Sequence, residues 1–426
     1  MKILPINNLR GEIKIAGDKS ISHRSVIFSS LADTTVEIEN FLQAADCLST
    51  VECMKKFGVD VKIDGEKVFV KGNGLRGLSE PEDILNAGNS GTTLRLLMGL
   101  AAPQNFLSTF TGDNSLRKRP MGRVIKPLTE MGAKIFGRNE NKNLPITVVG
   151  NKNLRGITYK MPVASAQVKS AIILAGLYAE NPTTIIEPAP SRDHTEKMLS
   201  SFGVRIEKNF NEIKIYPAEN LIAPKKIIVP NDISSAAYWI VLATILKNSE
   251  VTIKNVGVNQ TRTGILDVMK NMGAQIELEN LRESGGEIAA DLKIFSSNLH
   301  GVEIGGGIIP RLIDEIPILA VAAAFAEGTT IIHDVGELRV KESDRLNAIV
   351  EEFNKISPRS FKATENDLII HGGNEKFFAS CKTYADHRIA MALSIFGTAS
   401  KGVEIDDADC VKISYPNFFE ELKWEK

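Results

Sequence analysis

The stretch LRVKESDRL at 338–346 concentrates charge just after an apolar run, TTIIHDV. If it is helical, Lys341 and Arg345 stand at i and i+4, two cations on one face, where like charges repel. Glu342 and Asp344 relieve this at i+3 spacing, as Glu342–Arg345 and Lys341–Asp344 pairs. Two cations set side by side imply an anion between them. A carboxylate such as Glu342, held against Lys and Arg in an anion site, is a candidate general acid/base.

The other cations have a shared address. Lys19 and Arg24 lie in GDKSISHR, Arg95 in GNSGTTLR, Lys169 in ASAQVKS and Arg388 in ADHR, each at the start of a predicted helix. A helix N-terminus offers unpaired N–H groups and a positive partial charge, so Ser, Gly, Gln and Lys or Arg placed there build an anion cradle. For any one segment, N-capping alone is a sufficient explanation; recurrence at equivalent positions points to one shared cleft. The loop GDNSLRKRPMG adds Arg117, Lys118 and Arg119. Pro120 biases Arg119 towards an extended backbone, whereas Arg117 and Lys118 read as solvated. Lys412 stands in the strand-like DCVKISYP, either turned inward to an anion or outward from an edge strand. Asp314, with Glu315 beside it in RLIDEIPILA just before an apolar helix, is either a helix cap or a working acid.

The elements that must position these residues repeat. Openings at Gly17, Gly88, Ala164, Asn231, Ile313 and Ala385 each lead into an Ala/Leu/Ile-rich helix, then a strand such as TTVEIEN or TTIIHDV. A second helix follows, as in VECMKKFGV or LDVMKNMGA, with apolar spacing of three and four and a Gly near its end. The period of about 65 to 80 residues exceeds that of solenoids, so each unit is an α/β subdomain. The last unit is short, and the N-terminal strands are expected to complete it. This predicts two domains of three units, 17–229 continuous and 1–16 plus 230–426 discontinuous, with hinges at 16–19 and 229–232.

Composition sets limits. Hydrophobic residues make up 43% and charged residues 24% of the 426-residue chain, ordinary for a globular protein. A formal net charge of −1 argues against nucleic-acid binding. No apolar run reaches the length of a membrane span, and the N-terminus reads as a strand and not a leader. Cys47, Cys53, Cys381 and Cys410 form no CxxC pair and read as reduced packing residues of a cytoplasmic protein. With no metal-ligand spacing and no Walker loop, the residues point to small, multiply anionic substrates, phosphate or carboxylate.

In order along the chain, DKSISHR, NAGNSGTTLRLL, RKRPMGR, PVASAQVKSA, PSRDHTE, RLIDEIPILA, RVKESDRL, DHRIAMA and DCVKISYP resemble the motifs of the 5-enolpyruvylshikimate-3-phosphate (EPSP) synthase family. GNSGTT, PVASAQVKSA and SRDHTE resemble its divergent bacterial branch. The resemblance covers essentially the whole chain. It implies an α/β, two-domain inside-out barrel of six βαβαββ repeats. It implies transfer of the enolpyruvyl group of phosphoenolpyruvate to the 5-hydroxyl of shikimate 3-phosphate by addition and elimination, in a monomer without cofactor or metal. By the same resemblance Lys19, Ser20, Arg24, Ser165, Gln167, Ser191, Arg192, Asp314 and Lys341 hold shikimate 3-phosphate. Lys19, Gly91, Arg119, Gln167, Arg345, Arg388 and Lys412 hold phosphoenolpyruvate. Asp314 works at the attacking hydroxyl and Glu342 at the methylene carbon, with Lys19 beside them.

The chain departs from the enteric branch at Ala166, at Leu96 and at Glu337, where that branch has a serine, a proline and a substrate-binding asparagine; the last contact is dropped. The roles of Arg95, Lys169, His194 and His387 stay open. Two rivals are the enolpyruvyl transferase acting on UDP-N-acetylglucosamine, whose loop usually carries a cysteine that GDNSLRKRPMG lacks, and a non-catalytic anion binder.

Overall fold

The computed structural model describes residues 1–423. The chain forms two compact units, one of Met1–Ala16, Asn231–Arg282 and Ile288 onward, the other of Gly17–Pro230 with Glu283–Glu287. The repeat pattern gives no hint that the tip of the hairpin Gln275–Ser284/Glu287–Phe295 belongs with the second group. There are six sheets among the described residues, five of four strands and one of three, and each unit holds three of them.

The sheets share one plan. Leu85–Asn86 runs parallel to Leu107–Thr111, with the helix Gly91–Ala101 between them, and two antiparallel strands follow. Parallel neighbours need such a crossover. The same order recurs around Ala166–Gly176 and Ile316–Phe325; around His387–Thr398 the parallel pair recurs with a single antiparallel strand, Lys2–Ile3. The remaining two units borrow their parallel strand from far away in sequence. Lys226–Ile228 pairs with Thr35–Glu39 beside the helix Lys19–Ser30.

Arg10–Ile13 pairs parallel with Glu250–Gly257, which follows the helix Ile233–Ile245. That corrects the expectation that both N-terminal strands complete the last unit. Only Lys2–Ile3 does, antiparallel to Val403–Ile405. The second strand sits just before the chain leaves at Gly17, so it fills the place that a strand before Ile233–Ile245 would take.

Helices form the interior of each unit. ISSAAYWIVLATI and IPILAVAAAF are apolar on every side and buried on every side, as such a composition demands. Trp239 is fully buried, and its indole N–H donates to the Tyr415 hydroxyl at 3.0 Å. Strands alternate instead: in Lys67–Lys71, Val68 and Val70 face the core while the lysines face water.

The stretch 338–346 is not one helix. Gly336–Val340 is a 3₁₀ turn, Lys341 is extended at φ −81° and ψ −151°, and a new helix starts at Arg345 with Asp344 as its N-cap. The Asp344 carboxylate accepts from the Asn347 N–H at 3.0 Å and pairs with Arg339 at 3.2 Å, so the expected Lys341–Asp344 pair gives way. A π turn, Ile349–Phe353, follows directly; such turns cluster at functional sites.

No helix among the described residues is long and apolar enough to cross a membrane. All four cysteines are buried free thiols, and burial pushes Cys53 up to about 12.

Candidate functional site

In the Gly17–Pro230 unit, three helix N-termini carry the predicted residues. Asp18 caps Lys19–Ser30, accepting from the Ile21 N–H at 2.8 Å. This sets Lys19 in the first turn, where its ammonium pairs with Asp46. Arg24 lies one turn on and is buried. Its guanidinium donates to the Ser20 carbonyl at 2.9 Å, to Ser170 Oγ at 2.9 Å and to Thr195 Oγ1 at 2.7 Å. Burial draws it down to about 10, which leaves it charged at neutral pH.

The second cluster depends on a close helix contact. At Gly99 a Cβ would lie 2.3 Å from the Ala171 carbonyl oxygen, so only glycine lets Gly91–Ala101 and Ala166–Gly176 approach this closely. The approach brings Arg95 to Gln167: Nη1 donates to Oε1 at 2.5 Å, and the Gln167 amide donates to Thr92 Oγ1 at 3.0 Å. Ser165 caps its helix, and Ser90 caps the other, just ahead of Gly91.

Arg119 is extended, at φ −70° and ψ 137°, as Pro120 requires. It reaches the Asn89 side-chain oxygen at 2.7 Å. Arg117 and Lys118 are exposed. A Cβ on Gly91 would meet Arg95 Nη1 at 2.5 Å and Arg119 Nη1 at 3.5 Å, so both guanidiniums converge on that glycine.

Ser191 and Arg192 lie on the segment between Thr183–Ile186 and the helix His194–Ser201. Arg192 is half-buried, and its charge disfavours that of Arg24. Lys169 corrects the sequence reading. Its side chain is fully buried between Glu187 at 3.0 Å and Glu196 at 2.7 Å, and so it is no part of an open anion cradle.

The other unit has its own centre, Arg345, only 1% exposed. It donates to Asp386 through Nε at 2.8 Å and Nη2 at 3.2 Å, to Glu342 at 2.5 Å and to Asp314 at 3.5 Å. Burial works against its charge; Asp386 and Glu342 outweigh burial and raise its pKa. Lys341 reaches Asp314 at 3.4 Å although it shares no helix with Arg345. Arg388 donates to the Asp314 carbonyl at 2.8 Å and to Glu315 at 3.4 Å. Asp314 lies in a 3₁₀ turn, Ile313–Glu315, and does not cap the following helix. Lys412 is neither inward nor on a strand. It is an exposed residue of the 3₁₀ turn Asp409–Ile413, paired with Asp409 at 2.7 Å.

Sequence reasoning missed Asp386, which caps His387–Thr398 and also accepts from Ser343 Oγ at 2.9 Å. Only half of its signal was available: an Asp just before a helix start reads as a cap, whereas its ion pair with Arg345 spans 41 positions. It missed Asp46 and Thr195 as well, because nothing local marks residues that reach across from other helices. Among the described residues no group of His, Cys, Asp or Glu could hold a metal ion.

A family model described as EPSP synthase (3-phosphoshikimate 1-carboxyvinyltransferase) matches residues 3–422. The chain belongs to the EPSP synthase family. It is 56% identical over 412 residues to the 3-phosphoshikimate 1-carboxyvinyltransferase of Thermoanaerobacter sp. (strain X514), covering 96% of each chain. It is 50% identical over 426 residues to that of Bacillus pumilus (strain SAFR-032), covering 100% of this chain and 99% of the relative. The solved EPSP synthase of Acinetobacter baumannii superposes with a TM-score of 0.88 at 41% identity, over 99% of this chain and 96% of that one. The enolpyruvyl transferase NikO of Streptomyces tendae shares the fold, with a TM-score of 0.80 at 18% identity over 99% of this chain and 96% of NikO.

Proposed function

We propose that the protein transfers the enolpyruvyl group of phosphoenolpyruvate to the 5-hydroxyl of shikimate 3-phosphate, releasing phosphate. The observation that carries this reading is the Arg345 centre: one buried guanidinium touches both Asp314 and Glu342, a pair of carboxylates suited to two proton transfers.

Asp314 takes the proton of the attacking hydroxyl as its oxygen bonds to C2 of phosphoenolpyruvate. Glu342 delivers a proton to C3, turning the methylene into a methyl. The adduct then expels phosphate as the bond from C2 to the phosphate oxygen breaks; that oxygen takes up the proton held by Asp314, and Glu342 recovers a proton from the methyl, restoring the double bond on the new ether and both carboxylates. Lys19, Ser20, Arg24, Ser165, Gln167, Ser191, Arg192, Asp314 and Lys341 hold shikimate 3-phosphate; Lys19, Gly91, Arg119, Gln167, Arg345, Arg388 and Lys412 hold phosphoenolpyruvate. The two substrates carry roughly five to six negative charges at neutral pH. The cations offset that repulsion and stabilise the departing phosphate. Lys412 contributes only if it exchanges Asp409 for substrate. We further propose a monomer acting in the cytoplasm, with no nucleic-acid or membrane partner.

Phosphate release tests this. The protein should release phosphate from phosphoenolpyruvate with shikimate 3-phosphate and not with UDP-N-acetylglucosamine; release only with the UDP-sugar, or with neither, contradicts the reading.

Gly91→Ala should raise the KM for phosphoenolpyruvate about tenfold with little loss of stability, because the new methyl displaces the flexible head of Arg95 and not the backbone. An unchanged KM would count against the site. Gly91 also keeps space for glyphosate, an inhibitor of the EPSP synthase family; it is expected to inhibit this protein, and full activity at millimolar glyphosate would contradict that.

A further inference from the structure

We propose that Lys169 and Glu187 are positioning residues that hold Ser191 and, through it, the phosphate of shikimate 3-phosphate; this rests on the function proposed above. The two never reach the surface: the Lys169 side chain is 0% and that of Glu187 1% exposed. Between them they engage every polar group of Ser191, so on binding the hydroxyl turns from Glu187 to donate to the phosphate while the N–H and carbonyl stay held. Glu187 Oε1 accepts from the Ser191 N–H at 3.2 Å and from its hydroxyl. Lys169 Nζ donates to the Ser191 carbonyl at 3.3 Å while pairing with Glu187 Oε2 at 3.0 Å.

The elements explain why this matters. Lys169 is on the helix capped by Ser165 and carrying Gln167, so one buried side chain ties that helix to the segment bearing Ser191 and Arg192. Glu196, on the next helix, forms an ion pair with Lys169 at 2.7 Å and also favours the charge of Arg24. Lys169 with Glu187 and Glu196 is thus a buried ionic set. Burying such a set adds little stability compared with apolar packing of the same volume. What it does supply is fixed geometry for a short segment with no ladder of its own. Burial opposes the Lys169 charge, and the carboxylates of Glu196 and Glu187 overcome it, so the lysine stays protonated.

The test uses a charge-balanced double variant, Lys169→Met with Glu187→Gln, which leaves Glu196 facing Arg24. Calorimetry gives the shikimate 3-phosphate Kd, and steady-state kinetics gives the KM for phosphoenolpyruvate. Both are measured in the native and Ser191→Ala backgrounds. With Ser191 present, the double variant should weaken shikimate 3-phosphate binding about tenfold and move the phosphoenolpyruvate KM less than about threefold. In the Ser191→Ala background the same change should cost less than about twofold, because its target is already gone. Equal losses in both backgrounds, or no loss, overturn the proposal. If the double variant does not fold, the isosteric Glu187→Gln alone is compared in the two backgrounds, and an effect independent of Ser191 overturns it equally. Wild-type phosphate release separates this from the functional reading: a wild type inactive with shikimate 3-phosphate defeats that reading, whereas an active wild type without the Ser191 dependence defeats only this inference.

Discussion

Replacing Lys19 by Met is expected to lower kcat/KM about a thousandfold while the protein stays folded. Lys19 sits in the first turn of its helix, where the macrodipole and its own charge add. It is assigned to both substrates, so its loss removes two charge-assisted contacts together, and losing one such donor already costs roughly a hundredfold or more. The structural penalty is smaller. The lysine side chain is 21% exposed, and losing its pairing with Asp46 costs about 1–3 kcal/mol. Circular dichroism should match the wild type. A variant that keeps most of its turnover would show that the assignment of Lys19 is wrong.

Arg345→Met should be worse for stability and as severe for activity. The side chain is 1% exposed and is surrounded by Asp386, Glu342 and Asp314. Its removal leaves buried carboxylate without a counter-charge, a loss of about 3–5 kcal/mol. The pH dependence carries a definite sign. Burial raises the Asp386 carboxyl, but Arg345 outweighs it, so in the folded protein it lies below the ordinary value. A depressed folded pKa gives stability that is present above the unfolded value and lost as pH falls through the folded one. The wild type therefore loses stability on acidification below about pH 4. Without Arg345, the largest influences left on Asp386 are burial and Glu342, both of which raise its carboxyl, and protonation then favours folding. The stability gap between the two proteins should narrow as pH drops from about 7 to about 4 in urea melts. A gap that stays constant would mean that Asp386 does not depend on Arg345.

Much of this was legible in the sequence, for physical reasons. The Glu342–Arg345 pair expected from the sequence does form, although Glu342 precedes the helix that starts at Arg345 and so does not owe the pair to helical spacing; the extended Arg119 follows from Pro120. Caps at Asp18, Ser90 and Ser165 are local decisions of two or three residues, and sequence shows those well. What failed was longer in range. Lys341 and Arg345 do meet one carboxylate, Asp314, but from separate elements and not from one helix face. Lys169 resembled the other helix-start cations because its two glutamates lie 18 and 27 positions away and are invisible to spacing. Arg10–Ile13 went to the wrong unit because periodicity marks a strand and not its partner.

The central claim is enolpyruvyl transfer by addition and elimination, and one reaction in D₂O tests it most directly. Wild-type protein, phosphoenolpyruvate and shikimate 3-phosphate are combined and the product is read by proton NMR. The expected product is an enolpyruvyl ether on the 5-hydroxyl with deuterium in its methylene, because C3 passes through a methyl that took its third hydrogen from solvent. An ether whose methylene carries no deuterium, or no ether at all, would contradict the account.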